Sequence, residues 1–366
     1  MMKKMKKYIE KRKLKLSVEK SKIMVFKKAG GREKKRQWKW EEGIMEEVKT
    51  YKYLGYVMKR NNGNEEHVKT QIGKAKRAMG KVWSLGERIF KNSWEKRMKL
   101  FEIMVKSIIF YVVEIWGWKE YRGIEALQER YIRWILKLDR ETPGYIVRRE
   151  TGREKIGVKA LERAICFEEI IKEEEGAIWK KCWKWMRKNK SGRSKEERRE
   201  RLEKLGWKKE EYEEKLGEET RKKITEKEKS RNRIEVENKM ANSRYCKEIK
   251  WILNNEERAP DYLKVKNKLS RKEVIKMARH RMGNEARANR YWEKEERRIC
   301  RLCGEEEETI KHIWEDCKVS GSKREGWEEI LEGIMEKREG MWRLEGLRKK
   351  AEEERRKEEE AIEEIR

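Results

Sequence analysis

Proline is almost absent from this chain, and that scarcity constrains the fold more than any other feature. Only 2 of the 366 residues are proline, whereas Lys, Arg, Asp and Glu together make up 46%. Proline ends helices, while Glu, Lys and Arg favour them. The sequence therefore predicts a mainly α-helical fold and nearly excludes an all-β sandwich. A chain of this length has room for two or three small domains.

Positive charge is in excess and unevenly distributed. The chain carries 100 Lys+Arg against 70 Asp+Glu, a formal net charge of +30, and residues 1–60 alone carry +14. This excess favours a polyanionic partner, RNA or DNA. No run of about 18 uncharged apolar residues occurs, and the lysine-rich N-terminus lacks the apolar stretch of a signal peptide. We therefore expect an intracellular protein, nuclear or cytoplasmic, with no membrane partner.

Apolar periodicity predicts a small N-terminal β region followed by a helical bundle. Strands are predicted at 23–26, 37–40, 44–48 and 51–58. Helices with one apolar face are predicted at 68–82, 100–112, 124–138 and 161–171. Residues 186–240 hold 20 basic and 14 acidic side chains, which predicts a solvated helix or a disordered linker rather than a core segment. Residues 347–366 are predicted to form a solvated charged helix.

One cluster of cysteines and histidine has the spacing of a metal site. Cys300, Cys303, His312 and Cys317 follow the pattern C-x2-C-x8-H-x4-C, which is typical of tetrahedral Zn²⁺ coordination. Gly304 permits the tight turn after the first pair, and a short helix begun near residue 309 would return the other two ligands. A chance cluster of reduced thiols and a thioredoxin-like redox pair are the alternatives.

Basic residues surround this cluster in the sequence. We expect them to lower the pKa of the thiols and so to favour metal binding. They are Arg297, Arg298, Arg301, Lys311 and Lys318.

The sequence shows little sign of a catalytic site. Cys166, Cys182 and Cys246 lie in helical, partly apolar contexts and are expected to be unreactive, and His67 and His280 have no partner at ligand spacing. Two-metal phosphoryl transfer needs closely placed carboxylates. The chain's only aspartates are far apart in the sequence, at Asp139, Asp261 and Asp316. Polymerase or nuclease activity by this chain alone is therefore not expected.

Several short motifs, in order, resemble the C-terminal part of a non-LTR (LINE-type) retrotransposon reverse transcriptase. LSVEKSKIMVF at 16–26 and YKYLGY at 51–56 resemble the last motifs of its palm. Further motifs resemble its thumb and linker: VEIWGW (113–118), LQER (127–130), TPGY (142–145), MGNE (282–285) and RYW (290–292). The Cys/His cluster resembles the family's CCHC zinc knuckle, so the resemblance covers essentially the whole chain.

The resemblance implies a division into five parts. They are a palm remnant (1–60), a helical thumb-like domain (61–185), a charged helical linker (186–290), a zinc knuckle (291–322) and a charged C-terminal helix (323–366). The family's catalytic aspartates, in an [FY]-x-D-D motif, would precede residue 1. The chain is then expected to be a truncated RNA-directed DNA polymerase of a transposable element that is inactive alone. A separate chain that carries the catalytic half is a candidate partner, and the sequence leaves this open.

In the family the thumb grips template and primer, and the knuckle contacts RNA or target DNA. A primer-grip-like turn is implied at Tyr53, Leu54 and Gly55, where glycine would allow close approach of the nucleic acid. Other candidate contacts are Lys20, Lys22, Lys74, Arg77, Arg298 and Arg301. Two further functions remain open: a retained stand-alone zinc-knuckle module, and a charged helical scaffold that binds protein and ignores zinc.

Overall fold

A computed structural model gives the fold. It describes residues 2–26, 36–41, 43–173, 178, 180–182, 184, 193–245, 260–264, 269–320 and 338–364. The prediction of a mainly α-helical chain with a small N-terminal β region is confirmed.

The β region consists of two small sheets. In the first sheet β3 (Gly43–Glu47) lies between β1 (Lys22–Ile23), which is parallel to it, and β2 (Trp38–Trp40), which is antiparallel. The second sheet is the antiparallel hairpin of β4 (Thr50–Tyr53) and β5 (Tyr56–Lys59). The strands near 23 and 38 are shorter than predicted, and the strand near 44 has the predicted length but begins one residue earlier.

The strand predicted at 51–58 is wrong, because a tight turn divides it into this hairpin. Leu54 and Gly55 both have positive φ, at 44° and 82°. Consecutive left-handed residues reverse the chain in two residues, and glycine at the second position adopts this conformation without penalty. Apolar residues occur on both sides of the turn, so apolar patterning alone does not reveal it.

Helices dominate the rest of the described chain. They are α1 (Met2–Lys11), α2 (Glu65–Ile89), α3 (Trp94–Leu100), α4 (Ser107–Ile109), α5 (Val113–Trp116), α6 (Arg122–Leu136), α7 (Gly144–Glu150), α8 (Ile156–Glu173), α9 (Arg193–Lys204), α10 (Lys209–Lys215), α11 (Glu218–Ala241), α12 (Arg271–Arg281) and α13 (Arg338–Glu364). Wider π-helical turns occupy Phe101–Lys106 and His312–Asp316, and short 3₁₀ turns occupy Asp261–Leu263, Arg287–Asn289 and Glu295–Arg298.

The four predicted helices are present, with different ends. The one predicted at 100–112 begins earlier, because Ser93 caps α3 by accepting a hydrogen bond from the backbone N–H of Lys96 at 3.3 Å. It is also interrupted, since Val112 has a φ of 55°. α6 ends where Lys137 takes a left-handed conformation, with a φ of 49°.

The charged segment after residue 192 is helical but is not simply solvated. Leu202, Tyr212 and Ile224 are fully buried, with 0% exposed. The prediction that residues 186–240 do not contribute to a core is therefore wrong within 193–240. A few apolar side chains at helical spacing are enough to attach a highly charged helix. The predicted charged C-terminal helix is present as α13, with Met341 and Leu344 buried near its start.

The chain divides into two compact units. The first contains Met1–Lys74, Ile109–Glu120 and Ala160–Thr220, and the second contains Ala75–Ile108, Tyr121–Lys159 and Arg221–Arg366. In the first unit the buried core includes Trp116, Trp118 and Tyr212. In the second it includes Phe101 and Tyr131, whose rings stack with centroids 5.0 Å apart. The five-part division implied by the resemblance stays a prediction.

Among the described helices, none is both long enough and apolar enough to span a membrane.

Candidate metal centre

The four predicted ligands converge in the second unit. One ligand atom from each of Cys300, Cys303, His312 and Cys317 lies within 4.8 Å of all the others. The Sγ atoms of Cys300 and Cys317 are 4.0 Å apart, and Cys303 Sγ is 3.3 Å from His312 Nε2. A tetrahedral zinc site with bonds of about 2.3 Å places its sulfurs about 3.8 Å apart. The group could therefore hold a metal ion with only small side-chain adjustments.

A tight antiparallel turn places the first two cysteines. The backbone N–H of Cys300 donates to Glu306 O at 2.7 Å, and that of Glu308 donates to Arg298 O at 2.8 Å. Gly304 has a φ of 73°, and no atom lies near its missing Cβ. Glycine is needed there for its backbone conformation, as the sequence predicted, and not for space.

The other two ligands return on a wide helical turn. Thr309 Oγ1 accepts a hydrogen bond from the backbone N–H of His312 at 2.9 Å, which begins the turn. The π-helical segment His312–Asp316 follows, and the N–H of Cys317 closes it on His312 O at 2.7 Å. The helix predicted near residue 309 is therefore present.

A carboxylate orients the histidine. Glu306 Oε2 lies 3.0 Å from His312 Nδ1, so a neutral imidazole donates its Nδ1 proton to this carboxylate and leaves Nε2 free to bind a metal. Sequence reasoning missed Glu306. The signal was the run of four glutamates at 305–308, directly between the second and third ligands.

Burial and backbone dipoles set the acidity of the thiols. Burial raises the pKa of Cys300 to about 12. For Cys303 burial also acts upward, but hydrogen bonds from the backbone N–H groups of Glu305 and Glu306 outweigh it and lower the pKa to about 7. Cys303 therefore ionises more easily than Cys300.

The expected lowering of the thiol pKa values is found at Cys303 and not at Cys300, and acidic partners hold several of the nearby cations. Arg298 is 2.7 Å from Glu307, and Lys318 is 3.0 Å from Glu305. Arg301 donates through Nε to Glu308 at 2.9 Å, and the backbone amides of Glu305 and Glu306 are the largest causes that lower the pKa of Cys303.

A buried ion-pair network lies beside the four candidate metal ligands. Glu308 is fully buried and accepts hydrogen bonds from Arg301 and from Arg348 on α13, the latter at 3.2 Å. Arg348 also lies 3.0 Å from Glu285, and Arg301 donates to the Glu285 carbonyl at 2.8 Å. Two guanidinium groups therefore meet two carboxylates, which satisfies the requirement that buried charges be paired.

The MGNE motif at 282–285 has a structural explanation beside this network. Asn284 Oδ1 accepts a hydrogen bond from the backbone N–H of Asp139 at 2.7 Å, and its Nδ2 donates to Thr142 Oγ1 and to Tyr245 Oη, both at 2.9 Å. The TPGY and MGNE motifs, far apart in sequence, are thus joined by one buried amide.

The candidate nucleic-acid contacts differ in availability. Lys20 and Arg77 are exposed, and Lys74 is half-buried on α2. Lys22 is exposed but lies 2.6 Å from Glu46, its neighbour across the first sheet. Arg298 and Arg301 lie beside the metal ligands, and both are held in the ion pairs described above.

The hairpin turn at Tyr53, Leu54 and Gly55 presents two exposed apolar side chains. Tyr53 is 55% exposed and Leu54 is 77% exposed. The glycine, however, faces the protein: a Cβ at Gly55 would lie 2.8 Å from the Tyr111 hydroxyl, which donates to the Leu54 carbonyl. An internal contact therefore accounts for Gly55, and its approach to nucleic acid stays a prediction.

The other described cysteines and histidines are not part of this group. Cys166 and Cys182 are free thiols outside it, and Cys246 lies outside the described residues. His67 Nδ1 accepts from the Val57 N–H at 3.3 Å, and its Nε2 lies 3.2 Å from the Tyr111 carbonyl, so both ring nitrogens are used in packing.

No protein-family model, no curated protein and no solved structure matches this chain.

Proposed function

We propose that this chain is a zinc-binding and nucleic-acid-binding segment of a reverse transcriptase of the non-LTR retrotransposon type. The observation that carries the proposal is the Cys300, Cys303, His312, Cys317 group, whose ligand atoms lie within 4.8 Å of one another. Its spacing is also that of the knuckle that the motif resemblance implies. The positive charge of +30 supplies the attraction for nucleic acid.

Zinc is the ion that this donor set suits. Three sulfurs and one imidazole nitrogen form a closed four-coordinate site of the structural kind, with no position left for a substrate. Bound zinc would join the turn at Cys300 to the helical turn at Cys317. Glu306 holds the imidazole in the tautomer that binds metal, and the buried thiols lose their protons when the ion enters.

Metal content of the full chain tests the first half of the proposal. We expect the purified protein to contain one zinc per chain, and cobalt substitution to give a thiolate-to-metal absorption band. Cys303→Ser should lose most of the metal, because a hydroxyl is a poor zinc ligand at neutral pH. Cys166→Ser is the matched control and should keep it. A zinc-free wild-type chain with no cobalt band would rule out the metal centre.

The salt dependence of binding tests the second half. Each phosphate that a cation neutralises releases condensed counterions, so affinity for duplex DNA should fall steeply with salt. With about 5 to 8 such contacts the log–log slope should be about −5 to −7. Lys20→Gln should reduce the steepness by about 0.9 if Lys20 makes a phosphate contact. A slope near zero would instead favour the protein-binding scaffold.

A further inference from the structure

A second polar cluster, in the same unit but built from other residues, surrounds Arg97 on α3. Arg97 is almost completely buried, with 1% exposed, and its guanidinium lies over the Trp83 ring with Cζ 4.5 Å from the centroid. Its Nη2 donates to Glu87 Oε1 at 2.7 Å. Arg271 donates to both oxygens of the same carboxylate, at 2.5 and 2.6 Å. One carboxylate thus serves two guanidinium groups.

Three N–H donors of these two guanidinium groups have no acceptor. Arg97 Nε, Arg97 Nη1 and Arg271 Nε are buried and have no hydrogen-bond partner. Buried polar groups are nearly always paired, and an unpaired donor on a cation is especially unfavourable. The aromatic face under Arg97 compensates its charge in part but accepts no hydrogen bond from the edge of the guanidinium.

Both arginines line a pocket of about 130 Å³. One wall is apolar and consists of Trp94, Ile135, Leu136, Tyr262, Leu269 and Val274. Lys91 and Asn92 lie at an exposed rim. A closed cavity of about 150 Å³ holds one molecule the size of benzene, so a ring that carries a polar group would fill this pocket and extend past its exposed rim.

The charges that face the pocket leave it positive. Lys91, Arg97, Lys264 and Arg271 line it together with one carboxylate, Glu95. Two further carboxylates pair with the cations: Glu87 with both arginines, and Asp261 with Lys264. Four cations against three carboxylates leave one positive charge beside the unpaired donors.

We propose that this pocket binds a small oxyanion, a phosphate or carboxylate group, carried on a planar or apolar body. A small shift of the side chains that cover these buried nitrogens would let them donate hydrogen bonds to the oxygens of such a group, and the ring would lie against the apolar wall. Paired guanidinium groups are well suited to oxyanions because their N–H groups form a planar fork. This site does not depend on zinc or on the proposed function.

Calorimetric titration of the full chain tests this proposal. Phenyl phosphate and benzoate are the phosphate and carboxylate probes, and at least one should bind with one-to-one stoichiometry. Inorganic phosphate should bind more weakly than phenyl phosphate, because it makes no use of the apolar wall. The Nε–Hε NMR signals of Arg97 and Arg271 should move on binding, which reports the contact without any substitution.

Variants separate a built site from general positive charge. Arg271→Gln should weaken binding at least about tenfold, since a charge-assisted hydrogen bond is worth that much. Arg88→Gln removes the same charge from an exposed position on α2 and should change nothing. Glu87→Gln should strengthen binding, because it removes the competing carboxylate. Each folded variant is checked by its circular dichroism spectrum.

Three results would overturn the proposal: no binding of either probe, equal losses in Arg271→Gln and Arg88→Gln, or unmoved Nε–Hε signals. The two sources of a phosphate group are distinguished with one oligonucleotide. If its 5′-phosphorylated form competes with phenyl phosphate and its 5′-hydroxyl form does not, the pocket accepts a nucleic-acid terminus. If neither competes while phenyl phosphate binds, the ligand is a free small molecule.

Discussion

At the scale of single residues, glutamates determine what the abundant cations and the metal ligands can do. Glu306 orients His312 through a contact of 3.0 Å between its Oε2 and the ring Nδ1. Glu308 accepts hydrogen bonds from both Arg301 and Arg348. Sequence spacing identifies ligands, whereas these carboxylates are recognised only by their contacts. A carboxylate behind a ligating histidine raises its basicity and fixes its ring, so its removal weakens metal binding.

Glu306→Gln should therefore lower the zinc affinity of the full chain by about 10- to 100-fold. The amide can no longer accept the Nδ1 proton with a full negative charge. Glu305→Gln is the matched control. Glu305 is the adjacent residue and carries the same charge, but it pairs with Lys318 at 3.0 Å and not with His312. Competition with a zinc-binding dye measures both. Equal affinities for the two variants would show that Glu306 does not support His312.

His67 in the first unit supplies a pH-dependent contact. Burial lowers its pKa below the ordinary value of 6.5, and the hydrogen bond to the Tyr111 carbonyl only partly opposes this. The neutral ring accepts the Val57 N–H through Nδ1, so protonation breaks the bond that ties β5 to α2.

We therefore expect the His67 ring signal to titrate in NMR with a midpoint below 6.5. A depressed folded pKa means that the unfolded chain binds the proton more readily. The stabilisation is then complete above pH 6.5 and is lost as pH falls through the folded pKa. The protection of the Val57 amide against exchange, corrected for its intrinsic rate, should decline in the same range. A midpoint above 6.5 would contradict the neutral tautomer.

At the scale of elements, backbone proximity explains the VEIWGW motif at 113–118. α5 ends at Gly117, where a Cβ would lie 2.3 Å from the Ala160 carbonyl oxygen of α8 and 2.8 Å from that of Val113. Trp116 and Trp118 are buried on either side, and the Trp118 ring meets Tyr212 edge to face, 5.8 Å between centroids. In this fold the motif holds helices together within the first unit.

Gly117→Ala should destabilise the protein by about 1 to 3 kcal/mol, because the clash is with backbone that cannot rotate away. Gly73→Ala is the control in the same unit: Gly73 lies inside α2 with open space at its missing Cβ. That change should stabilise by about 0.5 to 1 kcal/mol through helix propensity. Urea denaturation measures both, and similar effects of the two substitutions would refute the close approach at Gly117.

At the scale of the whole molecule, the described aspartates take part in local ion pairs and turns. Asp139 lies in ion pairs with Arg279 at 3.1 Å and Arg290 at 3.4 Å, and Asp316 ends the helical turn beside Cys317. Within the described ranges, the only converging group of potential metal ligands contains three thiols and an imidazole, with no carboxylate. Magnesium prefers oxygen ligands, so this group does not suit it.

The 366-residue chain, supplied with primed RNA template, magnesium and nucleotides, should therefore extend no primer above the buffer control. It should nevertheless retain the primed template in a gel-shift assay at low salt. Extension that persists through repurification, and that scales with the amount of protein, would contradict this prediction.

The sequence by itself determined the helical fold class and the group of four candidate metal ligands. Both depend on local patterns: scarce proline and good helix formers act within a few residues, and the C-x2-C spacing fits one turn closed by Gly304. Cys300, Cys303, His312 and Cys317 span less than twenty residues, so little chain is needed to bring them together. The resemblance to a reverse transcriptase rests on longer motifs and stays a prediction.

Only the tertiary structure decided which partner each charged residue takes. Glutamate and basic residues occur throughout the chain, so no sequence pattern selects Glu308 for Arg301, or Glu87 for Arg97 and Arg271. Those choices follow from the packing of distant helices, as does the burial of Leu202 in a segment that reads as solvated. Charge pairing joins residues that are far apart in the sequence and is nearly independent of their order. Helix formation and metal-ligand spacing depend on residues close together in the chain, and for that reason the sequence determined them but not the charge pairs.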